Sequence, residues 1–484
     1  MKSRCVFSAL LLLSLSLLVA CAGTSSSTNP GDGGSTPKSL AMFSGTYVFL
    51  VADRGCVCTF AAAGSVQSDG VGNITSGIID INHAGSVQQN VPIKGTYTVD
   101  THGRGKADLQ SANGTFAFRF VVLSSKHTFV IGFDTNENAS GAMELQDSSA
   151  VSISSAAGNF AFLVSGTDQA GEELQIGGTI TADSSGNISS GVQDVHDNQV
   201  IETAVPITPA SLSVASTGRG TFTLSSSFAA SNYVFYVVDA NHLKIIGMDA
   251  GTILYGDAYR QSGTSDQISG SYAFTTFGWT SGVTLPLSAG GVFVTDGNGN
   301  VTNGTEDQNN NGSVLQGLSI SGQYSLATSG RGTLSLTTAS GTTNFAIYPS
   351  MSGLQMLEID SSGITAGSAL SQKSSSFSSG SLNGNLGLST TGSFQGNISD
   401  QLAVLLADGN GKLTGTMDLN NERSPESGLA VNGTFSVASN GRGTASLTTS
   451  AGTTNLNFYM VDGSLALTLS LDNSAVMTGS LAQN

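Results

Sequence analysis

Charged side chains are scarce in this sequence: Asp, Glu, Lys and Arg together make up 10% of its 484 residues. Only 17 residues are basic against 33 acidic ones, and no basic run is present. A protein that binds nucleic acid must neutralise phosphates with Lys and Arg, so we expect no nucleic-acid partner. The formal net charge of −16 favours solubility and repels anionic surfaces.

Helical and catalytic sequence patterns are also missing. No segment of useful length has a helical period, whereas 62 glycines and many Ser, Thr and Asn residues are typical of short strands and tight turns. The chain has no His-Glu-x-x-His motif, no P-loop and no nucleophile elbow, and its five histidines recur at no equivalent place. We therefore expect a protein that is not an enzyme and has no cofactor.

Cysteine is rare as well, with four residues in the chain. Cys56 and Cys58 form a Cys-x-Cys pair without the second pair that a zinc site needs. Residues i and i+2 of a strand face the same side, so a local disulfide and two free thiols both remain open.

The amino terminus has the layout of a secretory signal. Lys2 and Arg4 precede an apolar stretch over residues 9–19, and the sequence LVAC ends at Cys21. This ending resembles the lipobox of bacterial lipoproteins, so residues 1–21 are predicted to be a lipoprotein signal peptide. The resemblance implies that Cys21 is diacylated and becomes the first residue of the mature chain, anchored to the membrane. Ala22, where Asp favours retention in the inner membrane, implies the outer membrane if the cell is Gram-negative. An ordinary secretory signal with a chance cysteine is the alternative.

A tandem repeat occupies the rest of the chain. Residues 22–38 are rich in Ser, Gly and Thr and are predicted to be a flexible tether. Beyond them the triplet Gly-Arg-Gly recurs about every 112 residues, with its arginines at Arg104, Arg219, Arg331 and Arg442. The repeats are predicted to span residues 39–146, 158–261, 270–372 and 381–484, each about 105 residues long.

Each repeat reads as an antiparallel β-meander of eight short strands. Alternating apolar residues mark the strands, and Asp-Gly or similar pairs mark tight hairpins between them. Eight strands remove their exposed edges by closing into a barrel, whose interior is filled by side chains or holds one small ligand. The pattern weakly resembles lipocalin/avidin-like barrels. The alternatives are repeated β-sandwiches, or a propeller with two four-stranded blades per repeat.

The repeated arginines have repeated candidate partners. An aspartate lies about 24 residues before the arginine of each copy, one hairpin upstream; these are Asp80, Asp194, Asp307 and Asp418. A guanidinium fork matches a carboxylate, so a structural Arg–Asp pair is predicted within each repeat, for example between Arg331 and Asp307. An exposed turn residue and an anion-binding or ligand-binding arginine are the alternatives.

The Asp-Gly-x-Gly-Asn turns suggest weak Ca²⁺ sites. Their candidate ligands are Asp69, Asp183, Asp296, Asn298 and Asn300. The glycine that an EF-hand loop has at its sixth position is missing, so a plain hairpin turn is the competing interpretation.

These observations predict a lipid-anchored protein of the cell envelope with a binding, adhesion or structural role and an unknown extracellular or periplasmic partner or ligand. A carrier that holds a small apolar ligand inside its barrels is one alternative. An envelope hydrolase is the other, and it requires histidines or paired carboxylates that converge in one cleft.

Overall fold

The computed structural model describes residues 39–54, 59–227, 230–261, 268–282 and 285–484. The predicted signal peptide and tether lie outside these ranges, as do Cys21, Cys56 and Cys58. Within them the regular structure is β-strand apart from four one-turn 3₁₀ helices, at Leu40–Met42, Ser148–Ala150, Ile153–Ala156 and Ser379–Ser381. In the part of the chain that the structure describes, no helix is both long and apolar enough to cross a bilayer.

The strands fall into four groups, which we call barrels 1 to 4. Barrel 1 contains β1 (Ser44–Ala52), β2 (Phe60–Asp69), β3 (Asn73–His83), β4 (Ser86–Pro92), β5 (Lys94–Val99), β6 (Arg104–Ser111), β7 (Gly114–Val122), β8 (His127–Gly132) and β9 (Ser140–Leu145). Barrel 2 contains β10 (Gly158–Thr167), β11 (Glu173–Ala182), β12 (Asn187–Asp197), β13 (Val200–Pro206), β14 (Ala210–Val214), β15 (Arg219–Ser225), β16 (Ala230–Asp239), β17 (His242–Gly247) and β18 (Ile253–Arg260).

Barrels 3 and 4 repeat the same order. Barrel 3 contains β19 (Ser269–Thr280), β20 (Pro286–Asp296), β21 (Asn300–Asn310), β22 (Ser313–Ser319), β23 (Ser321–Leu326), β24 (Gly332–Thr338), β25 (Gly341–Ser350), β26 (Gly353–Glu358) and β27 (Gly363–Ser371). Barrel 4 contains β28 (Asn383–Phe394), β29 (Asn397–Asp408), β30 (Lys412–Asn421), β31 (Ser424–Val437), β32 (Arg442–Thr449), β33 (Gly452–Met460), β34 (Leu465–Ser470) and β35 (Ala475–Gln483).

Every group is a closed antiparallel barrel. In barrel 4 the strands follow chain order around the barrel, and β35 pairs with β28 to close it. Barrels 1 to 3 are closed in the same way, but the strand equivalent to β31 is broken into two pieces, such as β4 and β5. The predicted all-β fold of four tandem eight-stranded barrels is confirmed, and the sandwich and propeller alternatives are wrong.

The barrel interiors are filled by side chains. Phe120, Phe235, Ile347 and Phe458 are each exposed by 1% or less. In barrels 1, 2 and 4 the second glycine of the Gly-Arg-Gly triplet makes room for the phenylalanine ring: a Cβ on Gly220 would lie 2.2 Å from a ring carbon of Phe235. The structure therefore gives no support to a ligand chamber inside an individual barrel.

The four barrels form a closed ring within one compact unit over Thr36–Asn484. Apolar clusters join barrel 1 to 2, 2 to 3, 3 to 4 and 4 back to 1, and we call these contacts seams 1/2, 2/3, 3/4 and 4/1. The clusters include Val48 with Ile246, Leu163 with Leu357, Val292 with Val461, and Ile131 with Val404. Faces that point out of one barrel are thereby buried against the next.

Candidate functional site

Each seam is built on a β-bulge that presents an aspartate. Register shifts fall at Asp80 between β3 and β4, and at the equivalent places in the other barrels. Asp80 accepts a 2.8 Å hydrogen bond from the backbone N–H of Asn90, which has a φ of 53°. A bulge turns a side chain away from the regular alternation. β3 continues past this aspartate to His83.

The predicted Arg–Asp pairs exist, but they join neighbouring barrels. Each arginine binds the aspartate of the barrel before it, and the first arginine binds the aspartate of the last barrel. The closest contacts are Arg219–Asp80 at 2.8 Å, Arg331–Asp194 at 2.6 Å, Arg442–Asp307 at 2.7 Å and Arg104–Asp418 at 2.5 Å. Pairing within a repeat, as predicted for Arg331 and Asp307, is therefore wrong.

The pairing between barrels follows from where the two side chains point. Arg219 and Tyr236 are cross-strand neighbours on the outer face of barrel 2, and both reach Asp80 of barrel 1. Asp80 is fully buried, so its charge needs partners from outside its own barrel. Tyr348 and Tyr459 hold the same place at seams 2/3 and 3/4.

The charges of these seams show in the pKa values of the donors. The hydrogen bond to Asp80 raises the pKa of Arg219 above its ordinary value, although burial opposes it. Burial first, and then the charge of Asp80, raises the pKa of Tyr236 well above its usual range. Both groups therefore stay protonated as donors across the physiological range.

Side-chain amides add a second clamp at every seam. Gln261, the residue after barrel 2, donates 3.0 and 3.2 Å hydrogen bonds to the carbonyls of Gly330 and Pro349 in barrel 3. Gln146 and Gln372 do the same at their seams. At seam 4/1 the equivalent residue is Asn484, which donates to the carbonyl of His102 at 2.8 Å.

A large cavity lies where the four barrels meet. Its volume is about 810 Å³, and residues of all four barrels line it. Most of the lining residues lie on the first strand and the last two strands of each barrel, and Glu173 and Gln175 lie on β11. Small-molecule sites in proteins typically measure about 300–1,000 Å³, so the size of this cavity is that of a ligand site.

Equivalent positions on the cavity wall carry different chemistry in the four barrels. Because the last strands of the barrels align on Gly141, Gly256, Gly367 and Gly479, the positions that follow can be compared directly. One such set is Glu144, Tyr259, Leu370 and Ala482, another is Ala142, Asp257, Ser368 and Ser480, and a third is Phe129, Lys244, Gln355 and Leu467. The charges belong to barrels 1 and 2, whereas barrels 3 and 4 contribute neutral residues at these positions.

Four of the charged groups form a closed ring of ion pairs at seam 1/2. Lys244 Nζ lies 3.2 Å from Glu144 Oε2 and 3.4 Å from Asp257 Oδ1. His242 completes the ring, with Nδ1 at 3.1 Å from Glu144 and Nε2 at 2.7 Å from Asp257. His127 adds a contact of 3.2 Å to Glu144. We call this group the charge ring.

The charge ring determines the ionisation of its members. Burial lowers the pKa of His242, but the charges of Glu144 and Asp257 outweigh it and raise that pKa to about 9. Burial raises the pKa of Glu144, but Lys244 and His242 bring it well below its ordinary value. Two carboxylates and two cations therefore neutralise each other at neutral pH.

The other end of the cavity combines carboxyls with aromatic rings, and we call it the acid–aromatic end. Glu173 accepts a hydrogen bond from the Trp279 indole, and Phe277 packs edge-on against Trp279 with ring centroids 5.8 Å apart. Burial, with the charge of Asp53, raises the pKa of Glu173 well above its ordinary value and so favours the protonated form of its carboxyl. Gln175 is 2% exposed, and its Oε1 has no hydrogen-bond partner among the described residues.

The predicted Ca²⁺ turns use their carboxylates internally. Asp69 accepts hydrogen bonds from Val71 N at 2.8 Å and from Asn73 Nδ2 at 2.6 Å. Asp183 and Asp296 do the same in their turns, where Asn298 and Asn300 donate to Asp296. The described ranges contain no group of three or more His, Cys, Asp or Glu residues that is placed to hold a metal ion. Ca²⁺ binding at these turns stays a prediction.

Sequence reasoning missed the cavity residues. The charged residues and the tryptophan of the cavity do not recur from one repeat to the next, and recurrence is the signal that selects Arg104 and Asp80. A usable signal exists nonetheless: Lys244 interrupts an apolar strand, and Trp279 is the single tryptophan of the chain.

Comparison with known proteins gives little. No protein-family model and no curated protein matches the chain. Among solved structures, it is similar to a double mutant of the vaccine antigen transferrin binding protein B from Haemophilus parasuis Hp5. The identity is 9%, the TM-score is 0.19, and the match covers 95% of this chain and 97% of that chain.

Proposed function

We propose that this chain is a lipid-anchored binding protein of the cell envelope, which binds a small ligand in the central cavity of its barrel ring. The anchor rests on the lipobox resemblance at Cys21. The binding role rests on the cavity of about 810 Å³, which is made by all four barrels together.

One observation carries the binding role: the seams have the same charged pair in every repeat, whereas the cavity wall has different residues at equivalent positions. Every seam has an arginine–aspartate pair, whereas Glu144 and Lys244 have uncharged equivalents in barrels 3 and 4. A cavity that merely filled space between identical barrels has no need for buried charges at some of its corners, since burying a charge is costly.

The hydrolase alternative meets its stated requirement only in part. His242, Glu144 and Asp257 do converge on one another, and the two carboxylates line the cavity. However, each charge is paired within the charge ring, so a general base would have to leave two ion pairs before it took a proton. The geometry favours binding over catalysis.

The cavity is tested by blocking it in the full chain. Ser480 lines the cavity in barrel 4, and Phe in its place fills part of the volume. Ser340→Phe, in an exposed turn of barrel 3, is the matched control. We expect native mass spectrometry of protein purified from its own membranes to show a retained small molecule on the wild type and the control, and none on Ser480→Phe. A wild type without any bound molecule, or a Ser480→Phe variant that keeps it, contradicts the proposal.

The anchor is tested separately by fractionation. We expect Cys21→Ala to move the chain from the membrane fraction to the soluble fraction. A variant that still partitions with the membrane would show that Cys21 is not the anchor.

A further inference from the structure

The acid–aromatic end of the cavity contains a buried hydrogen-bond acceptor, Gln175 Oε1, to which no described residue donates. Gln175 lines the cavity, and its amide nitrogen already donates to the carbonyl of Ile364 at 3.0 Å. Its Oε1 has no partner in the described part of the chain, although the residue is 98% buried. A buried acceptor of this kind is destabilising unless something donates to it, so this atom points to a ligand with N–H or O–H groups.

A second acceptor and two aromatic rings surround the same space. Glu173 is 8% exposed and lines the cavity with Phe277 and Trp279. Burial, and then the charge of Asp53, raises the pKa of this carboxyl well above its ordinary value, so its ionised form is disfavoured unless a cation lies beside it. A cation placed beside Glu173 would compensate the ionised form, and aromatic faces attract cations as well.

The protein already places a cation at this end. The Arg54 guanidinium lies over the Phe277 ring, with its central carbon 5.9 Å from the ring centroid. Arg54 belongs to barrel 1 and Phe277 to barrel 3, so the contact crosses the cavity. The acid–aromatic end is therefore suited to positive charge, and a ligand cation would compete with Arg54 for it.

Part of the cavity wall is apolar. Leu50, Leu163, Phe129 and Leu467 line the cavity at the same level of their strands as the charge ring. On β10, Leu163 pairs with Asp257 of the charge ring. Thr167, four residues further along the same strand, pairs with Glu173. Four residues of strand span about 13 Å, enough for an alkyl chain of several carbons.

Resting on the proposed function, we infer that the cavity takes an alkylammonium ligand, with its primary ammonium at Glu173 and Gln175 and its alkyl chain extended toward the apolar side chains beside the charge ring. Two of the ammonium N–H groups donate to Glu173 and to Gln175 Oε1. Glu173 gives up its proton to solvent as the ligand binds. The net charge of −16 favours the approach of a cation over an anion.

The test uses the single tryptophan as a reporter. Trp279 fluorescence of the full chain is titrated with hexylammonium, hexanol and hexanoate at millimolar concentrations. These probes share one alkyl chain and differ in head-group charge. We expect hexylammonium to bind at least about tenfold more tightly than the other two, since a hydrogen bond to a charged group is stronger than a neutral one.

Two variants fix the site. Glu173→Gln keeps the size of the side chain but cannot carry a negative charge, and we expect it to weaken hexylammonium binding by about tenfold or more. Arg54→Ala removes the competing cation, and we expect it to strengthen hexylammonium binding. A variant of either kind that changes nothing contradicts the inference.

The outcomes separate the ligand class from the function. If hexanol or hexanoate binds as tightly as hexylammonium, the alkylammonium class is wrong while a cavity that binds ligands stands. If none of the three probes binds, the inference is overturned, and the proposed function is then judged by the Ser480→Phe experiment alone.

Discussion

The contact between barrels 1 and 2 depends on the protonation state of His242. Both of its ring nitrogens face carboxylates, Glu144 of barrel 1 and Asp257 of its own barrel. Its ring also stacks on Tyr259 with centroids 4.3 Å apart. Only the imidazolium donates from both nitrogens, so the closed charge ring requires the protonated form.

We predict that folding stability falls as pH rises across the titration of His242. Its pKa is about 9 in the folded protein against an ordinary 6.5, so the stabilisation is complete below pH 6.5 and is lost as pH rises through 9. Up to about 3 kcal/mol of the free energy of unfolding is at stake. Urea unfolding at several pH values measures it.

His242→Gln and His83→Gln form a matched pair for this measurement. His83 is half-exposed and contacts Glu137 at 2.9 Å, away from the charge ring, so its replacement leaves the charge ring intact. His242→Gln should lower stability at neutral pH and remove most of the dependence on pH. Equal slopes for wild type and His242→Gln would show that another group titrates.

At the scale of the strand, each barrel is closed by a glycine on its last strand. A Cβ on Gly256 would lie 1.9 Å from the carbonyl oxygen of Leu163 on β10, and the equivalent glycines show the same distance to their first strands. Only the missing side chain allows β10 and β18 to pair this closely, and that pairing closes the barrel.

We predict that Gly256→Ala destabilises the protein by about 3 kcal/mol or more, because the obstacle is backbone and cannot move aside cheaply. Gly463→Ala is the control: it lies in an exposed turn where a Cβ would approach nothing nearer than 3.5 Å. Chemical denaturation compares the two variants. Similar losses for both would mean that β10 and β18 can separate to accept a methyl group.

The strands were predictable from the sequence because each is specified locally. Alternating apolar residues and Asp-Gly turns act over a few residues, and they give the eight strands of each repeat. The partner of Arg331 was not predictable in this way. Every repeat contains one arginine and one aspartate at fixed spacing, so pairing within a repeat and pairing with the previous repeat fit the sequence equally well.

The cavity was hidden for a different reason. The side chains of Lys244 and Asp257 lie on the outer face of their strands, and the outer face of a barrel ordinarily faces solvent. Ring closure turns one outer face of each barrel into an inner wall. That depends on contacts between residues several hundred positions apart, such as Arg104 and Asp418, and no local pattern specifies them.

At the scale of the whole molecule, the chain returns to its beginning. Arg104 of barrel 1 binds Asp418 of barrel 4, and Asn420 of barrel 4 donates to the carbonyl of Gly132 at 3.0 Å. Seam 4/1 therefore repeats the contacts of the seams along the chain. It differs in having Val121 where Tyr236 stands in barrel 2.

Ring closure predicts that Arg104 matters as much as an arginine at a seam between consecutive barrels. In a linear string of barrels Arg104 would face solvent, and its loss would change stability little. In the ring, Arg104→Ala leaves Asp418, whose side chain is 1% exposed, as a buried charge without its guanidinium. We expect a loss of about 3 kcal/mol in the free energy of unfolding.

Arg423→Ala is the control for that loss, because it lies at the same seam. Arg423 contacts Glu137 of barrel 1 at 3.4 Å, but its side chain is 47% exposed, so solvent screens the pair and we expect only a small change. Small-angle scattering adds a second measurement, since a seam 4/1 that opens increases the radius of gyration. If Arg104→Ala behaves like Arg423→Ala in both measurements, Arg104 does not hold the ring closed; a larger effect on both places the closing contact at Asp418.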